Sequence, residues 1–270
     1  MLSPLNSSSL NNTQSLIQQN IQRISSGKSI NSAADNPAGL AIVDAMSSQL
    51  NGQNQAISNV TSGLSITDIA DGALSQVTDS LQQIRDLTVQ AGNGSLSGSD
   101  LQSIQNQINS LGQNIDDISA NTQFNGQPLL DGSFSGQLQV GPNSGDTLSL
   151  NLSNVSSTAL GVSGLNVSTT ANATSALSSI DNAINSVSSM QSNVASTAAG
   201  LNSNLSNLNS SYQQLAQSQS RIQDTDYAQA ISDLSQANVK NQVSIYALKL
   251  YQDNQNMSTT SLLNVQKVTA

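Results

Sequence analysis

Two acidic pairs, Asp116-Asp117 and Asp224-x-Asp226, come closest to chemistry-bearing spacing in this 270-residue chain. Paired carboxylates can act as general acid and base, or offer oxygen ligands to a hard cation. Asp116 and Asp117 are adjacent, so on a helix they diverge by about 100° and do not converge on one substrate. Asp226 stands where a helix N-cap is expected. The chain has no His and no Cys. Ser-His, Cys-His and His-metal arrangements are therefore unavailable, as are thiolate sites and a disulfide framework. No glycine-rich phosphate loop occurs. We expect no catalytic residue, no cofactor-binding residue and no metal ligand, and hence no enzyme.

The bulk composition narrows the partners further. Sixteen acids face seven bases, for a net charge of −9, yet only 9% of residues are charged. Surface polarity thus falls to Ser, Asn, Gln and Thr. Nucleic-acid binding needs clustered Lys and Arg, which are missing. No run of 18 or more apolar residues exists, which predicts no membrane insertion. The opening MLSPLNSSSLNN lacks the basic and apolar regions of a cleaved signal peptide. If the protein is exported, we expect a route that does not use one. With so few bases among the acids, Arg23, Arg85 and Arg221 are expected in ion pairs between subunits, Arg221 beside Asp224 foremost.

Structural elements, rather than a reactive site, dominate the sequence. From Leu177 to Ile222 the apolar residues fall at Leu177, Ile180, Ile184, Val187, Val194, Ala198, Leu201, Leu205, Leu208, Tyr212, Leu215 and Ile222, with only Gln191 and Gln219 interrupting. Steps of three and four sustained this long predict a helix with a narrow coiled-coil stripe, roughly 70 Å long at about 1.5 Å per residue. Such a stripe needs partner helices, because burying it alone does not offset the ordering of its backbone.

Those partners are visible on both sides. Leu10, Ile17, Ile21 and Ile24 predict a weakly amphipathic helix ending near Ser26-Gly27. Asn36 can cap a new helix with Pro37 in its first turn. From about Pro37 to Ala91 the same period returns, clearest at Ala70, Leu74, Val77, Leu81, Ile84, Thr88 and Ala91. After the break at 92–98, Ser99 with Gln102 reads as a capping box, followed by Leu101, Ile104, Ile108, Leu111, Ile115 and Ile118. Residues 124–170 change pattern. Asn125-Gly126 and Asp131-Gly132 are turn signals, and Leu138-Gln139-Val140 and Leu148 to Leu152 alternate, predicting a small β-rich insert. Beyond Asp226 a last helix carries Ile231, Leu234, Val239, Val243, Ile245, Leu248 and Leu250. This broad apolar face is expected to be buried by another copy of the chain. The fold class is mainly α, a long antiparallel helical-bundle or coiled-coil rod with paired terminal helices and a small β-rich insert.

Both ends carry recognisable motifs. Arg23-Ile24-Ser25-Ser26-Gly27, Ile30-Asn31-Ser32-Ala33, Asp35, Ala38-Gly39, Gly63-Leu64-Ser65-Ile66 and Thr122-Gln123-Phe124-Asn125-Gly126 lie on the N-terminal side. Ser220-Arg221-Ile222-Gln223-Asp224-Thr225-Asp226-Tyr227-Ala228 and Ser261-Leu262-Leu263 lie on the C-terminal side. Together they resemble bacterial flagellin, the subunit of the flagellar filament.

The resemblance implies an extracellular structural subunit that polymerises as a helical homo-oligomer for motility and is exported by the flagellar type III route. It also implies an export chaperone, a filament cap and hook-associated junction proteins as partners. Residues 1–34 and 230–270 would form the inner, terminal-helix assembly domain, using Leu10, Ile17, Ile21, Ile24, Ile231, Leu234, Val243, Leu248, Leu262 and Leu263. Residues 35–130 and 171–229 would form the surrounding helical rod, with turn and β structure at 124–130. Residues 131–170 would be a short variable insert on the outer surface. In family members detected by Toll-like receptor 5, a Gln-Arg-x-Arg-Glu-Leu-x-x-Gln stretch makes the contact. Here it reads Gln82-Gln83-Ile84-Arg85-Asp86-Leu87-Thr88-Val89-Gln90, and Gln107 aligns with a further Glu. Losing a charge-assisted contact costs about 1.5–3 kcal/mol, so the expectation is weakened recognition. Two other readings are a hook-filament junction protein and a surface adhesin or glycan-binding protein. The paired terminal motifs favour the filament over the first, and an insert this short and poor in aromatics disfavours the second.

Overall fold

A computed structural model describes the backbone of residues 3–268 and the side chains of residues 8–260. It is mainly α-helical: α1 (Ser3–Ser26), α2 (Pro37–Ala91), α3 (Gly98–Asn121), α4 (Thr170–Gln223) and α5 (Tyr227–Val268). Between α3 and α4 lie four short strands, β1 (Gln123–Phe124), β2 (Gln127–Pro128), β3 (Ser135–Gln139) and β4 (Thr147–Asn151), forming two separate antiparallel hairpins. The chain divides into two compact units. The terminal unit comprises Met1–Ser48 and Gln214–Ala270, and the central unit comprises Gln49–Gln213.

The central unit is built on the expected seams. Every α2 position at Ala70, Leu74, Val77, Leu81, Ile84, Thr88 and Ala91 is buried. The polar member of that row, Thr88, is satisfied by donating its hydroxyl to the Ile84 carbonyl at 2.7 Å. On α3, Ile104, Ile108 and Ile115 are buried, with Leu101, Leu111 and Ile118 packed at the edge of the same cluster. On α4, Ile180, Val187 and Val194 join that cluster, while Leu201 and Leu208 meet Ala56, Val60 and Val140 in a second one. Three narrow stripes thus cover one another, as in any helical bundle.

The N-terminus of α3 corrects one expectation. The capping box is Ser97 with Asp100, not Ser99 with Gln102. The Asp100 carboxylate accepts the Ser97 backbone N–H at 3.0 Å, and the Ser97 hydroxyl accepts the Asp100 N–H at 3.3 Å. A charged acceptor at the positive end of a helix outcompetes a neutral amide for this role.

The insert is held to the helices by side chains. Asp116 accepts both the backbone N–H and the hydroxyl of Ser157, at 2.8 and 2.9 Å. Gln105 donates to the Leu165 carbonyl and accepts from the Val167 N–H. The carboxylate of the first acidic pair is therefore a clip, and its neighbour Asp117 faces solvent. The β1–β2 turn places Asn125 and Gly126 at φ +50° and +79°, the left-handed pair that an Asn-Gly hairpin requires. The β3–β4 hairpin lies on α2, where Leu138 fills the notch at Gly63. A Cβ there would stand 2.7 Å from Leu138 Cδ1.

In the terminal unit, a clasp joins the chain's two ends. α1 stops at Gly27, φ +71°, and the following residues run beside the exit of α4. Ser29 N–H donates to the Gln223 carbonyl at 2.6 Å, Thr225 N–H donates to the Gly27 carbonyl at 3.0 Å, and Lys28 bridges Asp224 antiparallel. Asp35 fixes the loop by accepting the Asn31 and Ser32 N–H groups and the Ser32 hydroxyl. Asn36 then caps α2 through the Gly39 N–H, and Asp226 caps α5 through the Gln229 N–H. Because α1 enters this clasp and α5 leaves it, the two helices pack antiparallel.

Two outcomes follow for stability. Leu81→Ala should destabilise the central unit by about 2–5 kcal/mol, read as a lower urea midpoint for its unfolding. The Asn31 and Ser32 N–H groups, with the nearby Arg23 charge, hold the Asp35 carboxyl below the usual carboxylate range. A carboxyl depressed on folding contributes stability above its unfolded value and loses it as pH falls through the folded value. Asp35→Asn should therefore be less stable than the parent at pH 7, with the gap closing in urea titrations taken below the ordinary carboxylate range.

Candidate assembly interface

α5 has two faces. Towards α1 lie Ala230, Leu234, Ala237, Asn241, Ser244, Leu248 and Tyr251, buried or half-buried at steps of four and three. Two residues further on, about 200° around the helix, run Val239, Val243, Tyr246 and Leu250 at the same spacing, with Met257 one heptad beyond. These are exposed, Val243 by 62% and Tyr246 by 65%. The sequence suggested one broad apolar face. The exposed side is broad, because Ile231 and Ile245 are exposed between the two rows, while Leu234 and Leu248 of the expected face belong to the row that packs within the chain, which is the smaller and more polar. Its Ala and Ser side chains let α1 and α5 pack closely against each other.

On α1 the exposed apolar residues flank the packed row instead of forming an opposite one. Leu10, Ile17 and Ile24 are half-buried and alternate with buried Thr13 and Asn20, whereas Leu16 and Ile21 are about half exposed. Of the assembly residues expected from sequence, Leu10, Ile17, Ile24, Leu234 and Leu248 therefore sit on the intrachain seams, and Ile21, Ile231 and Val243 are exposed. The side chains of Leu262 and Leu263 lie outside the described residues. Tyr246, Met257 and Leu16 were not singled out from sequence. Continuing the three-four step from Val239 and Val243 across polar positions would have found Tyr246 and Met257, whereas Leu16 lies off the Leu10-Ile17-Ile24 step.

The basic residues are placed differently from the expectation. Arg85 is already paired within the chain, donating from Nε to Asp181 Oδ1 at 2.8 Å, and this is the one ion pair among the described residues. Both partners are about half exposed, so the pair contributes little to stability. Arg221 donates to the Ser218 hydroxyl, not to Asp224, whose carboxylate instead accepts from Ser220. Arg23 lies between α1 and α5 beside a cavity of about 230 Å³ that Asp233 and Lys240 also line, with its Nε buried and unpartnered.

Of the receptor-like stretch, Gln83, Asp86 and Leu87 on α2 face Gln107 on α3 around a groove of about 600 Å³. Gln82 and Gln90 are exposed on α2, outside it. Among the described residues, no group of three or more acids, His or Cys gathers as a metal site. No helix there is long and apolar enough to cross a membrane.

The comparisons with known proteins agree with this geometry. Residues 1–135 match the family described as bacterial flagellin N-terminal helical region, and residues 177–263 match its C-terminal helical region. A flagellin of Escherichia coli O127:H6 is 42% identical over 182 residues, covering 66% of this chain and 33% of the relative. The chain thus spans about a third of the length of such relatives. Among solved structures, a Bacillus cereus flagellin superposes with a TM-score of 0.51 at 28% identity, covering 56% of this chain and 88% of that one. A protein from Vibrio parahaemolyticus described as flagellar hook-associated superposes at 0.61 over 70% of this chain and all of its own, but at 16% identity it shows the fold alone. With both terminal regions matched over more than half of its length, the chain belongs to the flagellin family.

Proposed function

We propose that this chain is an extracellular structural subunit that polymerises into a flagellar filament and has no catalytic role. The observation that carries this is the exposed seam on α5. Five large apolar residues at heptad spacing face solvent on a helix whose opposite side is already taken by α1. An exposed apolar face of this kind is stable only when another helix covers it. Family membership supplies the occupant, another copy of the same chain. In this reading residues 1–34 and 230–270 form the inner assembly region, residues 35–130 and 171–229 form the surrounding rod, and 131–170 form the outer insert. Export without a cleaved signal peptide, and contacts with a chaperone, a cap and junction proteins, belong to the same proposal.

Detection by Toll-like receptor 5 is proposed to be weak. Gln83 and Gln107 leave their groove without the charges that the family's receptor contact uses, and Arg85 is tied to Asp181.

Three outcomes follow. Seeded with filament fragments, the full chain should form long filaments visible by electron microscopy, while a chain lacking residues 1–34 and 230–270 should not. Equal polymerisation by the trimmed chain would overturn the proposal. Val243→Asp should leave the helical circular dichroism of the free chain unchanged. It should raise the critical concentration for polymerisation roughly tenfold to a hundredfold, since burying an unpaired charge or polar group costs a few kcal/mol. Receptor binding by Q83R/Q107E should exceed the parent's by about tenfold or more, from two regained charge-assisted contacts.

A further inference from the structure

Three exposed asparagines share a local geometry that the assembly role does not use. Asn93, Asn154 and Asn166 each stand two residues before a serine, with Gly94, Val155 and Val167 between. In each, the side-chain Oδ1 accepts the N–H of that serine, at 3.2, 2.8 and 2.8 Å. At Asn93 the Ser95 hydroxyl donates to the same oxygen at 2.9 Å.

An Asn-x-Ser/Thr triplet without Pro is the acceptor pattern for N-linked sugars where it lies on a surface loop. A chain this rich in Asn, Ser and Thr carries the triplet at many positions, so the pattern alone selects none of them. The backbone does. Asn59, Asn204 and Asn209 begin such triplets inside α2 and α4, where a transferase would have to unwind the helix to reach them. Asn59 is doubly engaged, donating to the Gln139 carbonyl and accepting from Gln55. The loop asparagines differ in both respects. Their backbones lie outside helices, the bonds they make fall on Oδ1, and Nδ2 is left to solvent. Polarising the amide towards its oxygen also acidifies the Nδ2–H. Asn93 is in the loop leading into α3, and Asn166 lines a cavity of about 480 Å³ with Gly98 and Gln102 at the start of that helix.

We propose that Asn93, Asn154 and Asn166 are acceptor sites for N-linked sugars transferred from a nucleotide-activated donor. Nδ2 attacks the anomeric carbon and a carbon–nitrogen bond forms. The anomeric carbon–oxygen bond to the diphosphate breaks and the nucleoside diphosphate leaves with the electron pair. The Nδ2 proton passes to a base of the transferase. Nothing is oxidised or reduced.

The test uses the folded full chain with a soluble bacterial asparagine N-glycosyltransferase and UDP-glucose, followed by peptide mapping in a mass spectrometer. Hexose should appear on Asn93, Asn154 and Asn166 at occupancies roughly tenfold or more above those on Asn59 and Asn204, because helix opening precedes transfer at the latter. S95A/S156A/S168A keeps all three nitrogens and should lose the modification while its circular dichroism is unchanged. Equal occupancy on helical and loop triplets, no hexose on the three loop asparagines, or undiminished transfer to S95A/S156A/S168A would overturn the proposal.

Discussion

A narrow apolar stripe repeating every three and four residues can be buried only by another helix, and this constraint governs the molecule. With 9% charged residues and 2% aromatics, the chain has few other ways to hold itself together. In the central unit the stripes of α2, α3 and α4 satisfy one another, and Leu81, Ile115 and Leu201 are completely buried. In the terminal unit, α1 and α5 satisfy only half of the demand. Their shared seam mixes small and polar residues with Leu10, Ile17, Ile24, Leu234 and Leu248, and the other large aliphatic residues described on α5, Ile231, Val239, Val243, Ile245 and Leu250, stay exposed. The same rule that closes the central core leaves the terminal pair open to a neighbour.

The clasp around Gly27, Lys28, Ser29 and Asp35 determines how that open face is displayed. It ties the exit of α4 to the loop after α1, so the two ends of a long chain start their pairing at one fixed place. Entropy makes such a tie useful: closing a loop of nearly 200 residues costs only a few kcal/mol, and the closure is met once rather than at every α1–α5 contact. The carboxylate of Asp35, which accepts two backbone N–H groups, holds the local loop that makes this closure possible.

Much of this was legible in the sequence because it is local or periodic. The seams of α2, α3 and α4, the stop at Gly27, the break at 92–98, the caps Asn36 and Asp226 and the Asn125-Gly126 turn all follow from residue type and spacing. The misses were of other kinds. The capping box moved to Ser97 and Asp100 because an ionised carboxylate outbid a neutral amide three residues from its cap. Arg85 found Asp181 on another helix, a partner 96 residues away that no local pattern announces. Leu234 and Leu248 merged with the outer face of α5 in the sequence because Asn241 and Ser244, members of the packed row, carry no apolar signal. Asp116 looked like half of a carboxylate pair, and only the fold shows it committed to Ser157.

Amide hydrogen exchange, compared between the free chain and its polymer, tests the account most directly. If the exposed seam of α5 is the assembly face, protection across residues 239–257 should rise sharply on polymerisation, while residues 70–91 on α2 stay equally protected in both states. Equal protection of 239–257 in the free and polymerised chain would contradict it.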